Sequence, residues 1–100
     1  MEVAGYRVEL EEVEATLRRH PAVIDCVAAL VELRGASALA VAFVCRTTIA
    51  ERTLRLFLAE LLPTYMRPAK LIEVPRLPLL ASGKVDRKEA AALLTRELRP

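Results

Sequence analysis

Apolar residues recur along the chain with two periods, and the switch between them predicts the elements. Between about Glu9 and His20, Leu10, Val13 and Leu17 fall on one helical face. Glu11, Glu12 and Glu14 stand at the start of that segment and Arg18 and Arg19 at its end, as the helix dipole favours, with Glu14 spaced to pair with Arg18. Pro21 closes it. Val23 to Val31 is short and rich in β-branched residues, and reads as a strand. A polar turn with Gly35 occupies Glu32 to Ser37, and Ala38 to Cys45 is a second apolar run, so the two runs predict a hairpin. Their near-continuous apolar character predicts a sheet covered on at least one face. Thr48 and Glu51 have capping-box spacing ahead of an apolar stripe at Leu54, Phe57, Leu58 and Leu61, which Pro63 ends. Lys70 to Val74 reads as a short third strand, and Pro75 and Pro78 force a loop after it. Asp86 with Glu89 then predicts a capped terminal helix through Ala90, Ala91, Leu93, Leu94 and Leu98.

The order is therefore α-β-β-α-β-α, an α+β fold in which a small three-stranded sheet is flanked by helices. A short strand or hairpin is expected at the N-terminus. The 100 residues have the size of one domain, with no internal repeat or low-complexity linker.

Composition narrows the function classes. An apolar share of 54% and a mean hydropathy of +0.30 allow a buried core and argue against disorder. Fifteen basic and thirteen acidic residues leave a net charge of +2 without a run of one sign, so nucleic acid is not an expected partner. The longest uncharged stretch, Gly35 to Cys45, is 11 residues, short of the roughly 18–20 needed to cross a bilayer. No basic-then-apolar leader is visible at the N-terminus, and the expected location is cytoplasmic. Cys26 and Cys45 sit in apolar surroundings, and with a single histidine they suggest neither a disulfide framework nor a metal site; both read as buried small hydrophobes.

Lysine is scarce, with Lys70, Lys84 and Lys88 against twelve arginines. Lys84 follows a Ser82-Gly83 turn and precedes the Asp86 cap, so it is placed at an exposed loop tip. A compact ammonium there can reach a phosphate or a carboxylate as a point charge; equally, it can be a solvated loop lysine. Gly5-Tyr6-Arg7 reads either as a tight turn presenting Arg7 or as the entry to an edge strand. No phosphate-binding glycine motif or Ser/His/Asp set is present, and His20, before Pro21, reads as a helix terminator. A complete active site is not contained in the chain.

Three ordered segments carry a family resemblance. Gly5-Tyr6-Arg7-Val8-Glu9-Leu10 with Glu12-Val13-Glu14, then Leu62-Pro63-Thr64-Tyr65-Met66-Arg67-Pro68, then Gly83-Lys84-Val85-Asp86-Arg87, together resemble motifs of the C-terminal subdomain of adenylate-forming (AMP-binding) enzymes. The form is most similar to the amino-acid adenylation domains of nonribosomal peptide synthetases. The resemblance covers nearly the whole chain. It implies a mobile lid subdomain of an ATP-dependent acid-AMP ligase that works in two steps, adenylate formation and then thioester transfer to the phosphopantetheine arm of a carrier protein or to coenzyme A.

It implies Lys84 as the catalytic residue of the first step, and Gly5, Tyr6, Arg7 and Gly83 as residues contacting cofactor or substrate. ATP and magnesium would be held mainly by a large N-terminal subdomain, absent here and engaged in cis or in trans; a peptidyl or acyl carrier protein would be the second partner. No metal ligand is implied within the chain. Two residues depart from the family pattern: Ala4 stands where a basic residue is common, which removes a charge beside the glycine turn, and Glu11 stands where glycine is common, which adds negative charge to the first helix. The hinge segment ahead of Gly5 is also missing. The alternative is a non-catalytic module of the same fold that binds a carrier protein or another subunit.

Overall fold

The computed structural model of the chain describes residues 2–3, 6–7 and 9–98. Two short antiparallel strands, β1 (Glu2–Val3) and β2 (Tyr6–Arg7), pair as a hairpin ahead of helix α1 (Leu10–Arg18). Strands β3 (Val23–Leu33) and β4 (Ala36–Cys45) follow, then α2 (Glu51–Leu61), a 3-10 turn at Thr64–Met66, β5 (Lys70–Glu73) and α3 (Arg87–Glu97). The main sheet has the order β3-β4-β5. After the N-terminal hairpin the order is α-β-β-α-β-α, as the hydrophobic pattern predicts.

β3 and β4 are antiparallel and longer than the apolar runs alone suggest. Glu32, Leu33, Ala36 and Ser37 all join the ladder, leaving only Arg34-Gly35 as the turn. Both turn residues have positive φ, 54° and 79°, which matches the strand twist and explains the glycine. β5 pairs with β4 in parallel. A parallel neighbour needs a crossover rather than a hairpin, and α2 with the 3-10 turn provides it.

Alternation along the strands divides the core between two sheet faces. Cys26, Ala28, Leu39, Val41, Phe43 and Leu71 face α1 and α2, where they meet Val13, Leu17, Leu54, Leu58 and Leu62. Val27, Ala29, Val31, Ala40 and Ala42 face α3 and pack on Ala90 and Leu94. Three alanines on this second face let α3 sit close to the strands. Covering on both faces explains why the strands read as continuous apolar runs.

Several local expectations are corrected. α1 ends at Arg18, before His20. Arg18 turns to Asp25 at 2.9 Å and to the Cys26 carbonyl, while Glu14 is engaged elsewhere. The capping box at Thr48 does not form: Ala50 is the N-cap of α2, without a side-chain cap bond, and Glu51 instead pairs with Arg55 at 2.8 Å. The buried stripe of α2 leaves through Leu62 rather than Leu61, which is 41% exposed, because the chain turns extended at Leu62. Arg67 donates to the Leu62 and Ala59 carbonyls and so satisfies the end of that helix. Cys26 is buried as expected, but Cys45 is only half-buried. No helix among the described residues is long and apolar enough to cross a membrane.

Candidate functional site

Lys84 stands in a tight turn between β5 and α3. Leu79 and Val85 form an antiparallel bridge at its base. The Leu80 N–H donates to the Lys84 carbonyl at 2.7 Å, the Gly83 N–H donates to the Leu80 carbonyl at 2.9 Å, and the Asp86 N–H donates to the Pro78 carbonyl at 2.9 Å. Gly83 carries φ of 90°, a conformation L side chains rarely adopt, so glycine is what lets the turn close. Lys84 is exposed, and its ammonium is paired with none of the described residues. A free ammonium at a rigid tip can contact an anion brought to it from outside the chain.

The far stem of the turn is fixed by two interactions. The Asp86 carboxylate accepts from the Glu89 N–H at 3.0 Å, capping α3 as the sequence predicts. Arg87, the first residue of α3, reaches across to Glu14 on α1 with two parallel bonds, Nη1 to Oε2 at 2.8 Å and Nη2 to Oε1 at 2.7 Å. Glu14 is 1% exposed, and its Oε2 also accepts from the Ala28 N–H on the outer edge of β3 at 2.7 Å. The hydrogen bonds to Glu14 hold the Arg87 guanidinium above its ordinary value. Beneath the pair, the Cys26 thiol donates to the Glu14 carbonyl at 3.4 Å, and burial pushes that thiol up to about 12.

Sequence reasoning missed the Glu14–Arg87 pair, because the partners lie 73 positions apart and local spacing assigned Glu14 to Arg18. The signal available was a glutamate near the apolar face of a predicted helix, between Val13 and Leu17. Of the other expected site residues, Gly83 and Lys84 share the turn. Tyr6 and Arg7 form strand β2, paired antiparallel with β1. Gly5 lies outside the described residues. On the α3 side of the turn, Arg76, Leu77, Pro78, Leu79, Glu89 and Leu93 line an open groove of about 430 Å³. Leu79 and Leu80 expose 61% and 48% of their surface beside Lys84. Among the described residues no group of three or more His, Cys, Asp or Glu side chains is placed to hold a metal ion.

A three-stranded sheet with helices on both faces and a lysine turn projecting from one end defines a small α+β domain. The chain belongs to the AMP-binding enzyme C-terminal domain family, whose model matches residues 12–84. It is 40% identical over 100 residues to phenyloxazoline synthase MbtB of Mycobacterium tuberculosis, covering 98% of this chain and 7% of that protein. It is 38% identical over 89 residues to tyrocidine synthase 3 of Brevibacillus parabrevis, covering 88% and 1% respectively. The fold matches ATP-bound MatB from Rhodopseudomonas palustris with a TM-score of 0.90 at 20% identity, covering 99% of this chain and 20% of that one. The chain thus spans a small fraction of these relatives.

Proposed function

We propose that residues 1–100 form one domain, the mobile lid of an ATP-dependent acid-AMP ligase, and that Lys84 is its catalytic residue. In the first step a carboxylate oxygen attacks the α-phosphorus of ATP, forming the acyl-adenylate as the bond to pyrophosphate breaks. Lys84, delivered into the cleft of a large subdomain in cis or in trans, contacts the carboxylate and phosphate oxygens and offsets their charge. Little covalent chemistry is asked of the protein, so position and charge are what the lid supplies. Gly83 shapes the turn that presents the ammonium. In the second step the lid rotates, the Gly5-Tyr6-Arg7 segment replaces Lys84 beside the thiol, and the acyl group passes to the phosphopantetheine arm of a carrier protein as AMP leaves. Alternate use of two segments is a gating device of the kind lids provide.

The observation that carries this reading is Lys84, exposed and unpaired among the described residues, on a turn closed by three backbone hydrogen bonds. Membership of the AMP-binding enzyme C-terminal domain family supports it, as do relatives named phenyloxazoline synthase and tyrocidine synthase and a fold neighbour with ATP bound. On this reading ATP and magnesium are held mainly by the large subdomain. A cytoplasmic setting, where ATP is available, goes with this reading.

Exposed Leu79 and Leu80 favour a surface covered by a partner, and a non-catalytic interaction module would use the same surface. Lys84→Ala separates the two. Removing one charge-stabilising group costs roughly 10²–10³ in rate, or about 3–4 kcal/mol. In the chain combined with a large adenylation subdomain, Lys84→Ala is expected to slow pyrophosphate release by that order and to spare thioester formation from preformed adenylate. Equal loss in both steps would sink the assigned role; unchanged activity with intact partner binding would establish the interaction module.

A further inference from the structure

We infer that Glu14 is a positioning residue for Lys84, acting through Arg87; the inference rests on the lid reading above. The backbone bonds within 78–86 close the turn on itself but leave it able to pivot on its stems. One stem is Asp86, whose peptide leads into Arg87. A two-pronged guanidinium–carboxylate contact is directional as well as strong, so it fixes the first turn of α3 in orientation against α1. The carboxylate is itself fixed, because the Ala28 N–H holds Oε2 against the edge of β3. A continuous path of short bonds therefore runs from the sheet edge through Glu14 and Arg87 to a residue three positions from Lys84.

Packing and capping alone do not require a carboxylate at position 14. A glutamine would fill the same volume and could still accept from Ala28, but it would turn an NH₂ group toward the donors of Arg87. The charge and both oxygens are needed only for the contact that orients the Lys84 stem. α1 also begins three residues after β2, so the same pair joins the helix that follows Tyr6-Arg7 to the helix that follows Lys84. The two segments used alternately are thereby held in one body, and the rotation between steps occurs outside it.

The test has two readouts, amide hydrogen exchange in the chain and half-reaction kinetics in the chain joined to a large adenylation subdomain. In Glu14→Gln, the Leu80, Gly83 and Asp86 amides are expected to exchange at least tenfold faster while the β3–β4 ladder beyond Ala28 stays protected. Adenylate formation is expected to fall about 10- to 100-fold in kcat, since small misplacements of a reacting group have effects of that order. KM for the acid should not move. Arg87→Lys, which keeps the charge and loses the fork, should fall between wild type and Glu14→Gln, and it carries both readouts should Glu14→Gln fail to fold.

Unchanged exchange in the turn, or turn and ladder amides rising together, overturns the inference. So does unaltered adenylation in Glu14→Gln when Lys84→Ala is slow. If Lys84→Ala is itself fully active, the lid reading falls and takes the catalytic part of the inference with it, while the exchange data still decide separately whether Glu14 holds the turn.

Discussion

Two turns in this domain share their chemistry and differ in how they are held. The β3–β4 turn presents Arg34 beside Gly35 at φ of 79°, and the β5–α3 turn presents Lys84 beside Gly83 at φ of 90°. Each is an exposed cation next to a glycine that closes the backbone. The Arg34 turn is held by the ladder of its own two strands, with no side-chain bond to a distant element among the described residues. The Lys84 turn is additionally tied to the first helix by a carboxylate that is 1% exposed. A hairpin tip fixed by its own strands needs no distant support, whereas a turn anchored across the fold implies that its position matters to something outside it. On the proposed lid reading, precision of placement, rather than charge or exposure, is the property that sets Lys84 apart from Arg34.

The largest effect that would sharpen this contrast is on stability. Arg87→Ala leaves the Glu14 carboxylate buried with one remaining donor. Breaking such a pair costs roughly 3–5 kcal/mol, and the lower end, about 3 kcal/mol, is expected here because the Arg87 side chain is 51% exposed. Arg34→Ala, by contrast, should change stability by less than about 0.5 kcal/mol. Urea unfolding of the two variants checks this; equal midpoints would show that the anchor does not distinguish the turns.

A smaller effect separates stability from function. No atom lies within 4 Å of where a Cβ would be built on Gly35 or Gly83, so alanine at either meets strain and not a clash. The left-handed conformation costs an L residue roughly 1–2 kcal/mol, and Gly35→Ala and Gly83→Ala should be destabilised about equally. Only Gly83→Ala should slow adenylate formation, because relief of the strain re-aims Lys84. Equal slowing in both variants would trace the loss to stability and break the comparison.

The elements read easily from the chain because their causes are local. Leu54 and Leu58 mark a helix by spacing, Asp86 and Glu89 mark a cap, and Ser82-Gly83 after two prolines marks the Lys84 turn. What spacing cannot carry is which partner a side chain finds across the fold. Glu14 sits four residues from Arg18 and 73 from Arg87, and burial against the sheet decided for the distant partner. The parallel pairing of β5 with β4 is hidden for the same reason, since four residues of strand have no periodicity that states direction. Leu61 and Leu62 both fit an apolar stripe, and only the extended backbone at Leu62 selects which one enters the core. The candidate catalytic lysine was thus legible, and the group that holds it was not.

The smallest expected effect uses the two thiols as reporters on the two regions. Cys26 lies under the Glu14–Arg87 anchor and Cys45 at the end of the hairpin strand away from Arg34. Burial, the leading cause, pushes the Cys26 thiol from an ordinary 9.0 up to about 12, and burial together with Glu73 raises Cys45 less far. A folded-state value raised above the unfolded one means the native chain keeps its proton longer. The associated stability is fully present below about pH 9 and is lost as pH climbs toward about 12. Unfolding midpoints measured across that window should therefore fall with pH in wild type and fall less steeply in Cys26→Ala, with Cys45→Ala close to wild type. At neutral pH a thiol reagent should modify Cys45 first, and Glu14→Gln should speed modification of Cys26 while leaving Cys45 unchanged. Equal acceleration at both thiols would mean that the whole sheet opens together, and the anchor would then be no more local to the Lys84 turn than to the Arg34 hairpin.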